Sequence, residues 1–195
     1  MVRTFSRRTM IGALCLLAPA AAAQTTGTTP APPDPPVSAD VSGAREVMLS
    51  ARDVLVIKGE STWDDGYEAL MKAFSSLRAE ARRLDLPVVG KPNTAFQETD
   101  DQKFKYEAMV FLDKPPPAEA RPQGGMSFGK SPEGKAFVFN HVGAYDDIDS
   151  VYEAITAWLD EKGLTSKGAF LEEYLNEPQG ADDSKLELNI YVFVQ

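Results

Sequence analysis

The 195-residue chain has a single cysteine, Cys15, and a single histidine, His141. Cys15 sits in the apolar N-terminal run, so the rest of the chain cannot use a disulfide, thiol chemistry or a cysteine-containing zinc site. One histidine with no cysteine and no spaced carboxylate partner gives no metal-ligand spacing and leaves Ser-His and Cys-His catalysis unsupported. His141 reads as a structural histidine at a strand end. Positive charge is scarce too: 20 Lys and Arg stand against 29 Asp and Glu, a net charge of −9. Arg3, Arg7 and Arg8 all precede the apolar run, which leaves the remainder more acidic still. Such a surface repels phosphate backbones, so nucleic acid is not an expected partner, and neutral or cationic partners are favoured. Long apolar stretches are missing as well. The run from Met10 through Ala23 falls short of the roughly 20 residues that span a bilayer, and 43% apolar with 25% charged residues describes an ordinary globular domain.

What is present at the N-terminus is an export signal. Arg3, Arg7 and Arg8 form a charged region, Met10–Leu17 the apolar region, and Ala21-Ala22-Ala23 a small-residue cleavage site, so residues 1–23 are expected to be removed. Ser6-Arg7-Arg8-Thr9-Met10 resembles the twin-arginine motif, with general secretion as the alternative route to the periplasm or the medium. Residues 24–42 hold five prolines and four threonines and lack aromatic or basic residues. A stretch of that kind buries too little apolar surface to offset ordering, and it reads as a flexible linker. The folded domain is expected over residues 43–195.

That domain reads as two similar halves. Val54–Ile57 is a β-rich run; Asp64 opens a helix carrying Tyr67, Leu70, Met71, Phe74 and Leu77, which Pro87 stops; a polar turn follows, then Phe104–Phe111 alternates as a strand. In the second half, Ala136–Phe139 is a strand. Ile148, Val151, Tyr152, Ile155, Trp158 and Leu159 stripe a helix closed by Gly163, and strands follow over Ala169–Leu175 and Leu186–Val194. Tyr67, Tyr152 and Trp158 sit on these stripes and read as core. Trp63-Asp64-Asp65 matches Tyr145-Asp146-Asp147, and Tyr67-Glu68-Ala69 matches Tyr152-Glu153-Ala154, which supports a duplication. The expected fold is α+β, with tandem strand-helix-strand-strand repeats.

Gly124-Gly125-Met126-Ser127-Phe128-Gly129-Lys130-Ser131 satisfies the phosphate-loop pattern, but the approach is proline-rich and a β run follows instead of a helix. It reads as a flexible connection between the halves, not as a nucleotide site.

Strand parity places Phe170, Glu172 and Tyr174 on one face and Leu171, Glu173 and Leu175 on the other. A carboxylate between two rings suits a cation: desolvation raises its pKa, a bound cation favours its ionised form, and rings add about 0.5–2 kcal/mol each. The bland alternative is a wet strand with both glutamates in solvent. Trp63 and Tyr145 occupy equivalent places and could face one cleft, or pack at the helix entrances. Tyr106 alternates with Glu107, and the sequence leaves open which of them faces inward.

His141-Val142-Gly143-Ala144-Tyr145 before a helix, Trp158-Leu159 late in it, Glu172-Glu173-Tyr174-Leu175-Asn176-Glu177-Pro178 and a closing strand together resemble the GyrI-like, or AraC effector-binding, small-molecule-binding family. Glu177, Asn189 and Phe193 depart from its pattern. The resemblance implies a pseudo-twofold between the repeats, an antiparallel sheet, a pocket between the halves, and an acidic group at its base facing lipophilic cations. It places that acid at Glu172 and the tyrosine of the turn motif at Tyr145, to which strand parity and the repeat add Phe170, Tyr174, Trp63 and Tyr106 as candidate walls. The expected partner is a small molecule, with no cofactor, no metal, no nucleic acid and no membrane after signal cleavage, and the expected state is a monomer. Two other readings stand beside binding. One is a hydrolase with Glu172 as general base and Tyr145 as proton donor; the other is an envelope interaction protein whose pocket is filled by side chains.

Overall fold

The computed structural model describes residues 43–99, 102–177 and 179–195. The signal, Cys15 and the linker read over residues 1–42 lie outside the described residues, as does Pro178.

The chain order is β1 (Arg45–Leu49), β2 (Asp53–Thr62), α1 (Gly66–Arg83), β3 (Val88–Thr99), β4 (Lys103–Leu112), β5 (Met126–Lys130), β6 (Gly134–Val142), α2 (Ile148–Lys162), β7 (Ser166–Tyr174) and β8 (Glu187–Val194). All eight strands form one antiparallel sheet in the order β1-β6-β8-β7-β3-β4-β2-β5. The two units are β2-α1-β3-β4 and β6-α2-β7-β8, joined edge to edge through β3 and β7. Each is led by a strand that pairs with the other unit: β1 runs along β6, and β5 along β2.

Helix α1 buries Leu70, Ala73, Phe74, Leu77 and Ala81, a stripe one face wide. Full burial of a Leu or Phe is worth about 1.5–3 kcal/mol, against tenths for helix propensity, so this face fixes the helix on the sheet. Helix α2 buries Ile148, Val151, Ile155 and Leu159 and ends at Gly163, whose φ of 64° is the left-handed cap the sequence predicts. Both helices contribute to one core cluster. The opposite sheet face has its own cluster, including Val54, Met109, Phe111, Leu171 and Phe193.

Two sequence expectations change. The polar turn after Pro87 is instead β3, a strand with register shifts between Val89 and Asn93 and between Phe96 and Glu98. Those irregularities accommodate Pro92 and Gly90, the latter at φ 72°, and so hide the strand from a pattern that demands alternation. The flexible connection between the halves contains β5, paired residue by residue with β2 from Met126↔Ile57 to Lys130↔Asp53. Upstream of it Glu80 accepts both Arg83 guanidinium N–H bonds and the Gln123 backbone amide, which ties the connection to α1. The phosphate-loop pattern therefore runs into an edge strand followed by β6, with no helix N-terminus to gather its amides.

One row of paired residues crosses six strands: Ile57–Ala108–Thr94–Glu172–Ile190–Phe139. Ile57 precedes the start of α1 by as many residues as Phe139 precedes the start of α2. The row is therefore its own mirror under exchange of the units, and the pseudo-twofold passes between Thr94 and Glu172. By the same register Trp63 corresponds to Tyr145, Leu70 to Tyr152 and Phe96 to Tyr174. The likeness of Tyr67-Glu68-Ala69 to Tyr152-Glu153-Ala154 is out of this register and is not an equivalence.

Candidate functional site

Glu172 lies on β7 with its side chain wholly buried, on the same sheet face as Phe170 and Tyr174. Leu171 belongs to the opposite cluster, and Glu173 on that side accepts bonds from Asn189 (2.9 Å) and Tyr191 (2.8 Å). Asn189, a departure from the family pattern, therefore serves the outer face and not the buried acid. The parity read from the sequence holds, and the wet-strand alternative does not.

Three phenols close over the Glu172 carboxylate. Tyr152 on α2 donates to Oε1 at 2.6 Å, Tyr174 donates to Oε2 at 2.6 Å, and Tyr145, in the 3-10 turn before α2, donates to Oε2 at 3.4 Å. Among the described residues no Lys, Arg or His forms an ion pair with it. Desolvation is the largest influence and outweighs the three bonds, so the acid is pushed up to about 7. Burial and the neighbouring carboxylate push all three phenols well above their ordinary value. A phenol donates or accepts as required, so the cluster serves both the neutral and the ionised acid.

Tyr152 corrects the sequence reading, which placed it in the core. Its position on the apolar stripe is right, but a buried hydroxyl needs a partner, and that requirement was the signal available in the sequence. Phe170 packs edge-on against Tyr152, with ring centroids 5.2 Å apart. Trp63 and Tyr106 stand apart, meeting instead at Phe104, with centroids at 4.8 and 5.9 Å. Trp158 is the packing residue expected of it, against Phe137 and Phe139. His141 is buried near the end of β6, where backbone groups of Gly143 and Ala144 bond it, while its Nε2 has no partner among the described residues.

The space directly over Glu172 is occupied by the Tyr145 and Tyr174 rings, stacked with centroids 6.4 Å apart. The hollow between the units opens beyond them, as a cavity of about 580 Å³ running along α1. Tyr67, Met71 and Phe74 from α1, Pro92 from β3 and Tyr174 from β7 form its apolar wall; Glu68, Arg78, Arg82 and Glu177 supply its charges. Tyr67 is thus a cavity residue and not core. Its ring lies 6.0 Å from Tyr145, and Phe74 lies 5.0 Å edge-on from Tyr174. Tyr174 has both roles: its ring faces the cavity and its hydroxyl holds Glu172.

Thr94 is the polar residue missed altogether. It is fully buried opposite Glu172, and its Oγ1 has no partner among the described residues. The residues equivalent to the three tyrosines in the first unit are Trp63, Leu70 and Phe96. Where the second unit has an acid and three phenols, the first has a lone hydroxyl and apolar groups.

The model of the family described as "GyrI-like small molecule binding domain" matches residues 44–195. A protein named "Probable transcriptional regulator YgiV", from Escherichia coli O157:H7, is 30% identical over 96 residues, which cover 48% of this chain and 58% of that protein. The match thus spans little more than half of that relative. The solved EcmrR–DNA complex has a chain of like fold, with a TM-score of 0.65 at 16% identity over 78% of this chain and 57% of that one. The structure of SAV2435 bound to tetraphenylphosphonium gives 0.52 at 16% identity, over 78% and 93%. With the profile matched across both units, this chain belongs to the GyrI-like small-molecule binding domain family.

Proposed function

We propose that the domain binds a small amphipathic cation in the cavity along α1, with Glu172 as the counter-charge behind Tyr174. Tyr67, Phe74, Tyr145 and Tyr174 act as the aromatic surround, and Phe170 steadies Tyr152. The observation that carries this reading is an acid buried without a cationic partner among the described residues, one ring away from a cavity. Across the width of a phenol, about 7 Å, an ion pair at an effective dielectric near 20 is still worth about 2 kcal/mol. Direct contact is therefore not required, and displacement of Tyr145 or Tyr174 would strengthen the interaction. A cavity of about 580 Å³ is in the ordinary range for small-molecule sites. The ligand-bound SAV2435 shares the fold, which supports the ligand class by analogy.

Hydrolysis is the weaker reading. A general base must reach the proton it takes, whereas both Glu172 oxygens are engaged by phenols and the side chain has no exposure. The filled space over Glu172 suits an interaction protein, but the adjoining cavity favours a ligand. The Arg3, Arg7 and Arg8 signal supports export as part of the proposal, and the net charge of −9 argues against nucleic acid as the domain's own partner.

Thermal unfolding with and without tetraphenylphosphonium tests the binding. The ligand raises the Tm of the wild-type protein more at pH 8, where Glu172 is ionised, than at pH 5, and this advantage vanishes in Glu172→Gln. An equal shift in both proteins at both pH values overturns Glu172 as the counter-charge.

A further inference from the structure

A simple cation does not explain all the charges of the cavity: beside Glu68 and Glu177 it holds two arginines. Arg78 and Arg82 are one helical turn apart on α1, and both line it. Arg78 pairs with Glu177 at 2.9 Å. The exposed Arg82 side chain forms no hydrogen bond or ion pair among the described residues. In a chain with a net charge of −9, two arginines converging on one hollow stand out against the background. They would repel a ligand that is cationic along its whole length.

The hollow is also polar along its axis. Phe74 and Tyr174 meet at the end that leads to Glu172. Arg78 follows Phe74 by one turn, about 6 Å along the helix, and Arg82 by two, about 12 Å. One end therefore suits an apolar body bearing positive charge, and the other suits an anion.

Building on the cation-binding reading, we propose that the natural ligand is a zwitterion: an aromatic or otherwise apolar cation that also carries a carboxylate or similar anionic group, which Arg82 binds with Arg78 beside it. Guanidinium groups present paired N–H donors that match a carboxylate, and a bond charged on both sides is among the stronger polar contacts. Glu177 then holds Arg78 at the rim, and Arg82 is left free for the guest.

Rhodamine B, which bears a free carboxylate, and rhodamine B ethyl ester, in which that carboxylate is masked, share one cationic ring system. Fluorescence titration of the purified protein with each dye, beside tetraphenylphosphonium as a cation without an anionic group, tests the proposal. The free acid is expected to bind wild type about ten-fold more tightly than the ester, and Arg82→Gln is expected to remove that preference by weakening the acid, with the ester binding no more weakly than to wild type. Equal binding of acid and ester to wild type, or a preference that survives in Arg82→Gln and in the Arg78→Gln/Arg82→Gln double variant, overturns the zwitterion and leaves the cation site standing. Failure of all three probes to bind wild type overturns the cation site, and the zwitterion with it.

Discussion

Thr94 and Glu172 face each other across the central strand pair, one on each side of the pseudo-twofold, and only one of them bears a charge. The duplication supplies the same backbone position twice. The second copy surrounds it with the hydroxyls of Tyr145, Tyr152 and Tyr174, whose equivalents in the first are Trp63, Leu70 and Phe96. Among the described residues the buried Thr94 hydroxyl has no partner, which costs about 1–3 kcal/mol relative to water. Thr94→Val is expected to leave the unliganded protein as stable as wild type or up to about 1 kcal/mol more stable. Urea unfolding measures this, and a clear loss of stability would show that the hydroxyl has a bound partner.

Glu172 links stability to pH. Its folded value of about 7 lies above the ordinary 4.5, so the folded protein holds a proton that the unfolded chain has released. The contribution is complete below pH 4.5 and is lost as pH rises through 7, by on the order of 3 kcal/mol in total. Glu172→Gln removes it. Wild type should weaken relative to this variant between pH 5 and pH 8, and parallel denaturation curves at the two pH values would contradict the buried-acid account.

Tyr152→Phe and Tyr174→Phe each remove a 2.6 Å bond to the carboxylate. Those bonds favour the ionised form, so the acid's pKa rises further in either variant. Each should cost about 1–3 kcal/mol at pH 8 and less at pH 5. Tyr145→Phe, at 3.4 Å, should cost least of the three. Titration of Glu172 by carbon-13 NMR reports the direction of each shift directly.

Gly59 is fixed by Tyr106, its partner across β2 and β4. A Cβ at residue 59 would come within 2.5 Å of the Tyr106 ring and hydroxyl. Gly59→Ala should lower stability by about 1–3 kcal/mol through overpacking. The Gly59→Ala/Tyr106→Phe pair, which retains the ring, should recover only part of that loss.

Much of this was legible in the sequence because the second unit is regular. Alternation on β7 placed Glu172 between Phe170 and Tyr174, and the stripe of α2 with its Gly163 cap fixed the helix. The first unit was harder to read. The register shifts around Pro92 and Phe96 break the period that identifies β3, and with that strand went Thr94 and the exact course of the cavity floor. β5 is a short edge strand preceded by Gly124 and Gly125 at φ 63° and 77°, so turn composition masked it. Periodicity reads Tyr152 and Tyr67 as core because it records which face a side chain occupies, not whether its hydroxyl finds an acid or a hollow. Trp63 is equivalent to Tyr145 in the duplication, yet its ring packs on Phe104.

The measurement that bears most directly on the account is the proton balance of binding, obtained by calorimetry with tetraphenylphosphonium at pH 7 in buffers of different ionisation enthalpy. An acid about half protonated at that pH should release up to about half a proton per ligand bound as the cation stabilises its ionised form. The release should disappear in Glu172→Gln, with affinity falling about ten-fold or more. Binding of equal strength in both proteins, with no proton released from either, would contradict the claim that this buried acid recognises the ligand.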